Sequence, residues 1–91
     1  MVRIRQTATF KRALKRLQKQ HKAELDIAVR AIAQDPSVGE SKLGDLAGVR
    51  IYKFKMNQQT VLLAYAFFEA DDAIKLLALG SHENFYRDLK R

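Results

Sequence analysis

The chain has 91 residues, 47% hydrophobic and 30% charged, which makes one folded domain spanning 1–91 with a single core, and excludes both a disordered chain and a separate substrate domain. It has no cysteine, and its two histidines, His21 and His82, lie far apart with no carboxylates at ligand spacing, so neither a metal nor another cofactor is expected. The net charge of +7 sits at one end, because residues 1–22 hold eight basic residues and no acid while the rest holds nine basic and ten acidic residues.

Residues 2–7 predict a weak strand, with Ile4 and Gln6 alternating against Arg3 and Arg5. A helix follows over about 10–20, with Thr9 as its cap and Phe10, Leu14 and Leu17 as its apolar stripe. On this boundary Lys11 and Arg12 sit at the positive end of the helix dipole. Lys11/Lys15, Arg12/Arg16 and Lys15/Lys19 are like-charge pairs one turn apart, each costing about 0.2–0.5 kcal/mol. A face built this way favours a polyanion or an acidic protein as its partner. A second helix over about 22–34 carries Leu25, Ala28, Val29 and Ile32 on one stripe and stops at Asp35-Pro36, so the two helices form a hairpin. His21, at the hairpin end, reads as an exposed surface residue.

The glycine-containing stretch 37–48 reads as a loop. Three apolar segments come next. Residues 49–56 alternate, placing Lys53 and Lys55 on the side of Val49 and Ile51, and Arg50 on the other. After the polar turn 57–59, residues 60–68 are apolar on both sides, as in a central strand, and 73–79 form the last strand. The apolar run 61–68 is too short to cross a bilayer, and 1–5 lacks a signal-peptide core, so no membrane contact and a cytoplasmic location are expected. The expected fold is α+β: a small antiparallel sheet of about four strands, an N-terminal helical hairpin on one face and a short C-terminal helix capped by Ser81. In that last helix His82 and Tyr86 share one side while Phe85 and Leu89 share another, so one side can anchor and the other can bind.

The order of these elements, with Lys42-Leu43-Gly44-Asp45-Leu46-Ala47-Gly48-Val49-Arg50-Ile51-Tyr52-Lys53-Phe54-Lys55, then Leu62-Leu63-Ala64-Tyr65 and Leu79-Gly80-Ser81-His82-Glu83-Asn84-Phe85-Tyr86, resembles the RelE/ParE superfamily over nearly the whole chain. The resemblance implies the toxin of a bacterial type II toxin–antitoxin pair. RelE-like members cut mRNA in the ribosomal A site, and ParE-like members inhibit DNA gyrase. The Gly80-Ser81-His82 ending is similar to that of YafQ-type ribosome-dependent nucleases, which implies a metal-independent endoribonuclease with the ribosome and mRNA as partners. A gyrase inhibitor without catalysis is the alternative. The chain departs from the YafQ type at Ala78, where an arginine is expected, and near residues 56–60, where a histidine and an aspartate are missing.

RNA cleavage by a ribose 2′-OH needs that proton removed, the leaving 5′-oxygen protonated and the phosphorane charge stabilised. His82 suits the proton transfers, with an ordinary pKa near 6.5. The candidate catalytic set is therefore His82, Tyr86, Arg50, Lys53 and Lys55, with Phe85, Arg87, Lys90 and Arg91 as substrate-binding candidates. An acidic antitoxin is expected on the first helix, at Phe10, Lys11, Arg12, Leu14, Lys15 and Leu17.

Overall fold

The computed structural model describes residues 2–41 and 48–81. The elements run β1 (Arg3–Gln6), α1 (Ala8–Lys15), α2 (Lys19–Gln34), β2 (Glu40–Ser41), β3 (Arg50–Met56), β4 (Gln59–Phe68), a 3-10 turn at Glu69–Asp71 and β5 (Ala73–Ser81). The strands form one five-stranded sheet in the order β1-β5-β4-β3-β2. α1 packs on β5 and α2 on β3, leaving the opposite sheet face free of both helices. No helix among the described residues is long and apolar enough to cross a membrane.

The architecture is the expected α+β hairpin-on-sheet, with differences at two strands. β1 lies parallel to β5, so the sheet is mixed, and Glu40–Ser41, in a stretch read as loop, pairs with Ile51 and Arg50 as a fifth strand. Alternation of side chains encodes which face a residue takes but not strand direction, and a two-residue strand is too short to show a pattern. The C-terminal helix expected after Ser81 lies outside the described residues.

The helices also start earlier than periodicity suggested. Thr7, and not Thr9, caps α1: its Oγ1 accepts from the Phe10 amide at 3.0 Å and donates to the Leu77 carbonyl at 2.7 Å, tying the helix start to β5. With α1 ending at Lys15, Arg12 and Lys15 fall in its last turn, where the dipole favours cations. His21 is half-buried in the first turn of α2, with its Nε2 shielded from solvent.

The core under the helices joins Phe10, Leu25 and Ile32 to Met56, Leu63, Tyr65, Ile74 and Leu76. Burying each large aliphatic or aromatic side chain there contributes about 1.5–3 kcal/mol. On the other sheet face Ile51, Leu62, Ala64 and Ala78 form a second buried cluster. The two faces meet at an irregularity in β5. Ala64 pairs with Ala78 but Tyr65 with Leu76, so Leu77 is an extra residue and Leu77 and Ala78 both join the second cluster. The β3–β4 hairpin turns through Asn57 and Gln58, both left-handed at φ 53° and 64°, the geometry that matches the twist of the strands it joins.

Candidate nucleic-acid interface

Alternation along β3 decides which cations share a surface. Ile51, Lys53 and Lys55 pair with Ala64, Leu62 and Thr60 and lie on the face away from the helices. Both lysines are exposed. Lys55 Nζ donates to Thr60 Oγ1 at 3.1 Å, and the Lys53 side chain has no hydrogen-bond or ion-pair partner among the described residues. Leu62, the cross-strand neighbour of Lys53, pairs on its other side with Gly80. Lys53 and Gly80 are thus about 10 Å apart across two strand spacings. The chain leaves β5 at Ser81, on the end of the sheet that carries both lysines.

Arg50 is not part of that arrangement. It faces the helix side, where its Nη1 donates to the Gly39 carbonyl at 2.8 Å and to the Ser37 carbonyl at 3.3 Å. The same turn is held by Tyr65, whose hydroxyl donates to the Pro36 carbonyl at 2.6 Å and accepts from the Gly39 amide at 2.9 Å. Burial pushes the Tyr65 phenol above its ordinary pKa, opposed by the Gly39 hydrogen bond and the Arg50 charge. Asp35 completes the turn by accepting from the Ser37 hydroxyl and amide, which hold its carboxyl below the usual range, with Arg50 adding to the effect. Gly39 is required by contact, since a Cβ there would stand 2.7 Å from the Tyr65 hydroxyl. The structure therefore corrects the grouping of Arg50 with Lys53 and Lys55: its guanidinium satisfies two backbone carbonyls on the opposite side of the sheet. Sequence reasoning did not assign Tyr65 this role, although a phenol inside a strand apolar on both sides needs a buried partner and gave the signal.

The partner residues expected on α1 divide by burial. Lys11, Arg12 and Lys15 are exposed, and Leu14 and Leu17 are half-buried. Phe10 is fully buried in the core and so offers no free face to a partner, because the Thr7 cap starts the helix early and turns its ring under the hairpin. Beside it is a cavity of about 280 Å³ lined by Ile4, Phe10, Leu14, Leu25 and Val29, with Lys22 and Asp26 at the rim. β1 is an edge strand and its Ile4 is 43% exposed. The amides of Arg3 and Thr7 donate inward to β5 and its preceding turn, so those of Ile4 and Gln6 point away from the sheet.

His82, Phe85, Tyr86, Arg87, Lys90 and Arg91 lie outside the described residues. Ala78 is buried with Ile51, Leu62 and Ala64, so an apolar methyl occupies the position where the YafQ type would carry an arginine.

Solved structures show the same fold. The RelBE toxin–antitoxin complex of E. coli matches with TM-score 0.73 at 14% identity over 91% of this chain and 99% of that one. A RelBE complex of Mycobacterium tuberculosis gives 0.71 at 22% identity over 89% and 98%. The RelE–RelB complex of Pyrococcus horikoshii gives 0.61 at 18% identity over 90% and 96%. No curated protein matches the chain in sequence. The family model described as the ParE-like toxin of type II bacterial toxin–antitoxin systems matches residues 4–90, nearly the full length, and the chain belongs to that family of toxins.

Proposed function

We propose that this toxin is a ribosome-dependent, metal-independent mRNA endonuclease that stops translation. The observation that carries the reading is the placement of Lys53 and Lys55, exposed on one sheet face beside the end of β5 from which the chain runs on to His82. Two ammonium groups at that position would neutralise the scissile phosphate and the charge that grows on it in the phosphorane. Lys55, oriented by Thr60, would bind it directly, while Lys53 has its full donor capacity for RNA. His82 would move the protons, with Tyr86 as a second transfer group or a stacking platform, and Phe85, Arg87, Lys90 and Arg91 would hold the flanking nucleotides. Arg50 has no part in this chemistry and keeps the turn at 36–39 in place.

The toxin's partner in this reading is an acidic antitoxin. The cavity under Ile4 and Leu14 would take apolar side chains of an extended segment hydrogen-bonded along the outer edge of β1, and Lys11, Arg12, Lys15 and Lys22 would meet its acids. RelE–RelB and RelBE complexes among the matching structures support such a pairing.

A gyrase-inhibiting toxin without chemistry is the second reading, favoured by the ParE-like description of the family model and by alanine at 78. A pulse of expression without the partner separates the two, with labelled methionine and thymidine followed together and new mRNA 5′ ends mapped. Prompt loss of protein synthesis with cuts inside translated frames, abolished in His82→Ala, is the expected result. Early loss of DNA synthesis with intact mRNA would overturn it in favour of gyrase.

A further inference from the structure

A second cationic site lies on the same sheet face as Lys53 and Lys55, toward the opposite end of the strands. The parallel pairing of β1 with β5 sets Arg5 directly beside Lys75, and Lys75 pairs on its other side with Ala66 of β4. Like charges opposed on neighbouring strands destabilise a sheet. Among the described residues neither the Arg5 nor the Lys75 side chain has a hydrogen bond or ion pair to offset this. Two residues beyond Ala66, Phe68 stands on the same face and is 47% exposed, an unusual amount of open aromatic surface for a strand end. These three side chains and Asp71 line a cavity of about 170 Å³. Along β4, Ala66 is four residues from Leu62, the neighbour of Lys53, a run of about 14 Å.

From this geometry we infer that Arg5, Lys75 and Phe68 form a subsite for single-stranded RNA, binding one phosphate between the two cations and stacking a base on the Phe68 ring. The inference deepens the nuclease reading and rests on it for RNA as the ligand. A phosphate removes the repulsion between Arg5 and Lys75 by placing a shared anion between them, with Arg5 able to hold two oxygens at once. A base covers the exposed ring without a requirement for its identity, because every base has a π-face. Asp71 at the rim repels phosphate, which fixes the polarity of the site: the backbone passes over the cations, and the carboxylate is left to accept from a ribose hydroxyl or an exocyclic amine. An acidic peptide would also satisfy the cations, but its carboxylate side chains bring no flat ring to cover the exposed face of Phe68, which any base of RNA supplies.

The test is fluorescence anisotropy of a short, unstructured, labelled single-stranded RNA with the full-length toxin, measured from about 50 to about 200 mM salt. Replacing both cations, Arg5→Gln with Lys75→Gln, should lower the slope of log affinity against log salt by about 0.7, since the pair neutralises one phosphate of a single strand. Phe68→Ala should weaken binding about 5- to 150-fold at unchanged slope, and Phe68→Tyr should restore it. Thermal melts of each variant check that the fold is kept. Unchanged slope and affinity would overturn the inference, as would loss of binding to the antitoxin in place of RNA. If Lys53→Gln/Lys55→Gln abolishes mRNA cleavage while the Arg5/Lys75 variant binds RNA like the wild type, the subsite fails and the nuclease reading stands. If the Arg5/Lys75 variant loses RNA and the wild type cuts no mRNA, the nuclease reading fails and the subsite stands.

Discussion

The two faces of the sheet are built from the same strands and serve opposite ends. On the helix side two polar groups with a long reach are spent on the backbone: the Tyr65 hydroxyl and the Arg50 guanidinium both close on the 36–39 turn. On the other side the side chains of Lys53, Arg5 and Lys75 surround an apolar floor of Ile51, Leu62, Ala64 and Ala78 and have no hydrogen-bond or ion-pair partner among the described residues. Identical charge at two positions of one strand therefore carries different meaning. Arg50 is held by carbonyls and stabilises; Lys53, three residues on and facing the other way, is free to meet an anion.

Substitutions on the helix face should damage stability first. Tyr65→Ala removes the largest core side chain and should cost about 3–5 kcal/mol in urea unfolding. An unchanged midpoint would mean that the ring is not part of the core. Gly39→Ala drives a Cβ to within 2.7 Å of the Tyr65 hydroxyl and should cost about 1–3 kcal/mol, measured the same way, with Tyr65 or the turn displaced.

Tyr65→Phe keeps the packing and strands the Pro36 carbonyl and Gly39 amide, for a loss of about 1–3 kcal/mol. This variant also carries a pH signature. The folded phenol has a raised pKa, so its contribution is present below the ordinary value near 10 and is lost as pH rises through the folded value. Wild-type melting temperature should fall more steeply than that of Tyr65→Phe above about pH 10. Parallel curves would show that Tyr65 does not couple to proton loss.

Arg50→Met sharpens the contrast between faces. It should lower stability by about 1 kcal/mol through the two lost carbonyl contacts while leaving cleavage per folded molecule intact. Loss of cleavage with unchanged stability would return Arg50 to the catalytic group. The smallest effect is expected in the hairpin turn, which both faces share. Gln58→Gly relieves a left-handed non-glycine residue and should stabilise by at most about 1 kcal/mol, visible as a small rise in thermal midpoint.

What was legible in the sequence is what side-chain period and apolar runs encode. The alternation through 50–56 separated Arg50 from Lys53 and Lys55, and the doubly apolar run at 60–68 identified the central strand. Partnership was not legible. Arg50 bonds to backbone carbonyls that no residue pattern announces, and the choice of Thr7 over Thr9 depends on a carbonyl 70 residues away. The Arg5–Lys75 juxtaposition follows from a parallel pairing that weak alternation in β1 could not specify. Phe10 shows the limit on the apolar side, where a helical stripe marks what is hidden without saying whether the chain itself or a partner hides it.

The most direct test of the central claim is the cleavage rate of a single translated mRNA in a purified translation system. Wild type, Lys53→Ala/Lys55→Ala and Arg50→Met would be compared at equal folded concentration. The double lysine variant should lose at least about 100-fold, the scale of one lost transition-state donor, with its unfolding midpoint within about 0.5 kcal/mol of wild type. Arg50→Met should cut normally. Wild-type cleavage that survives in the double lysine variant, or no cleavage by any of the three, would contradict the assignment of this sheet face to RNA cleavage.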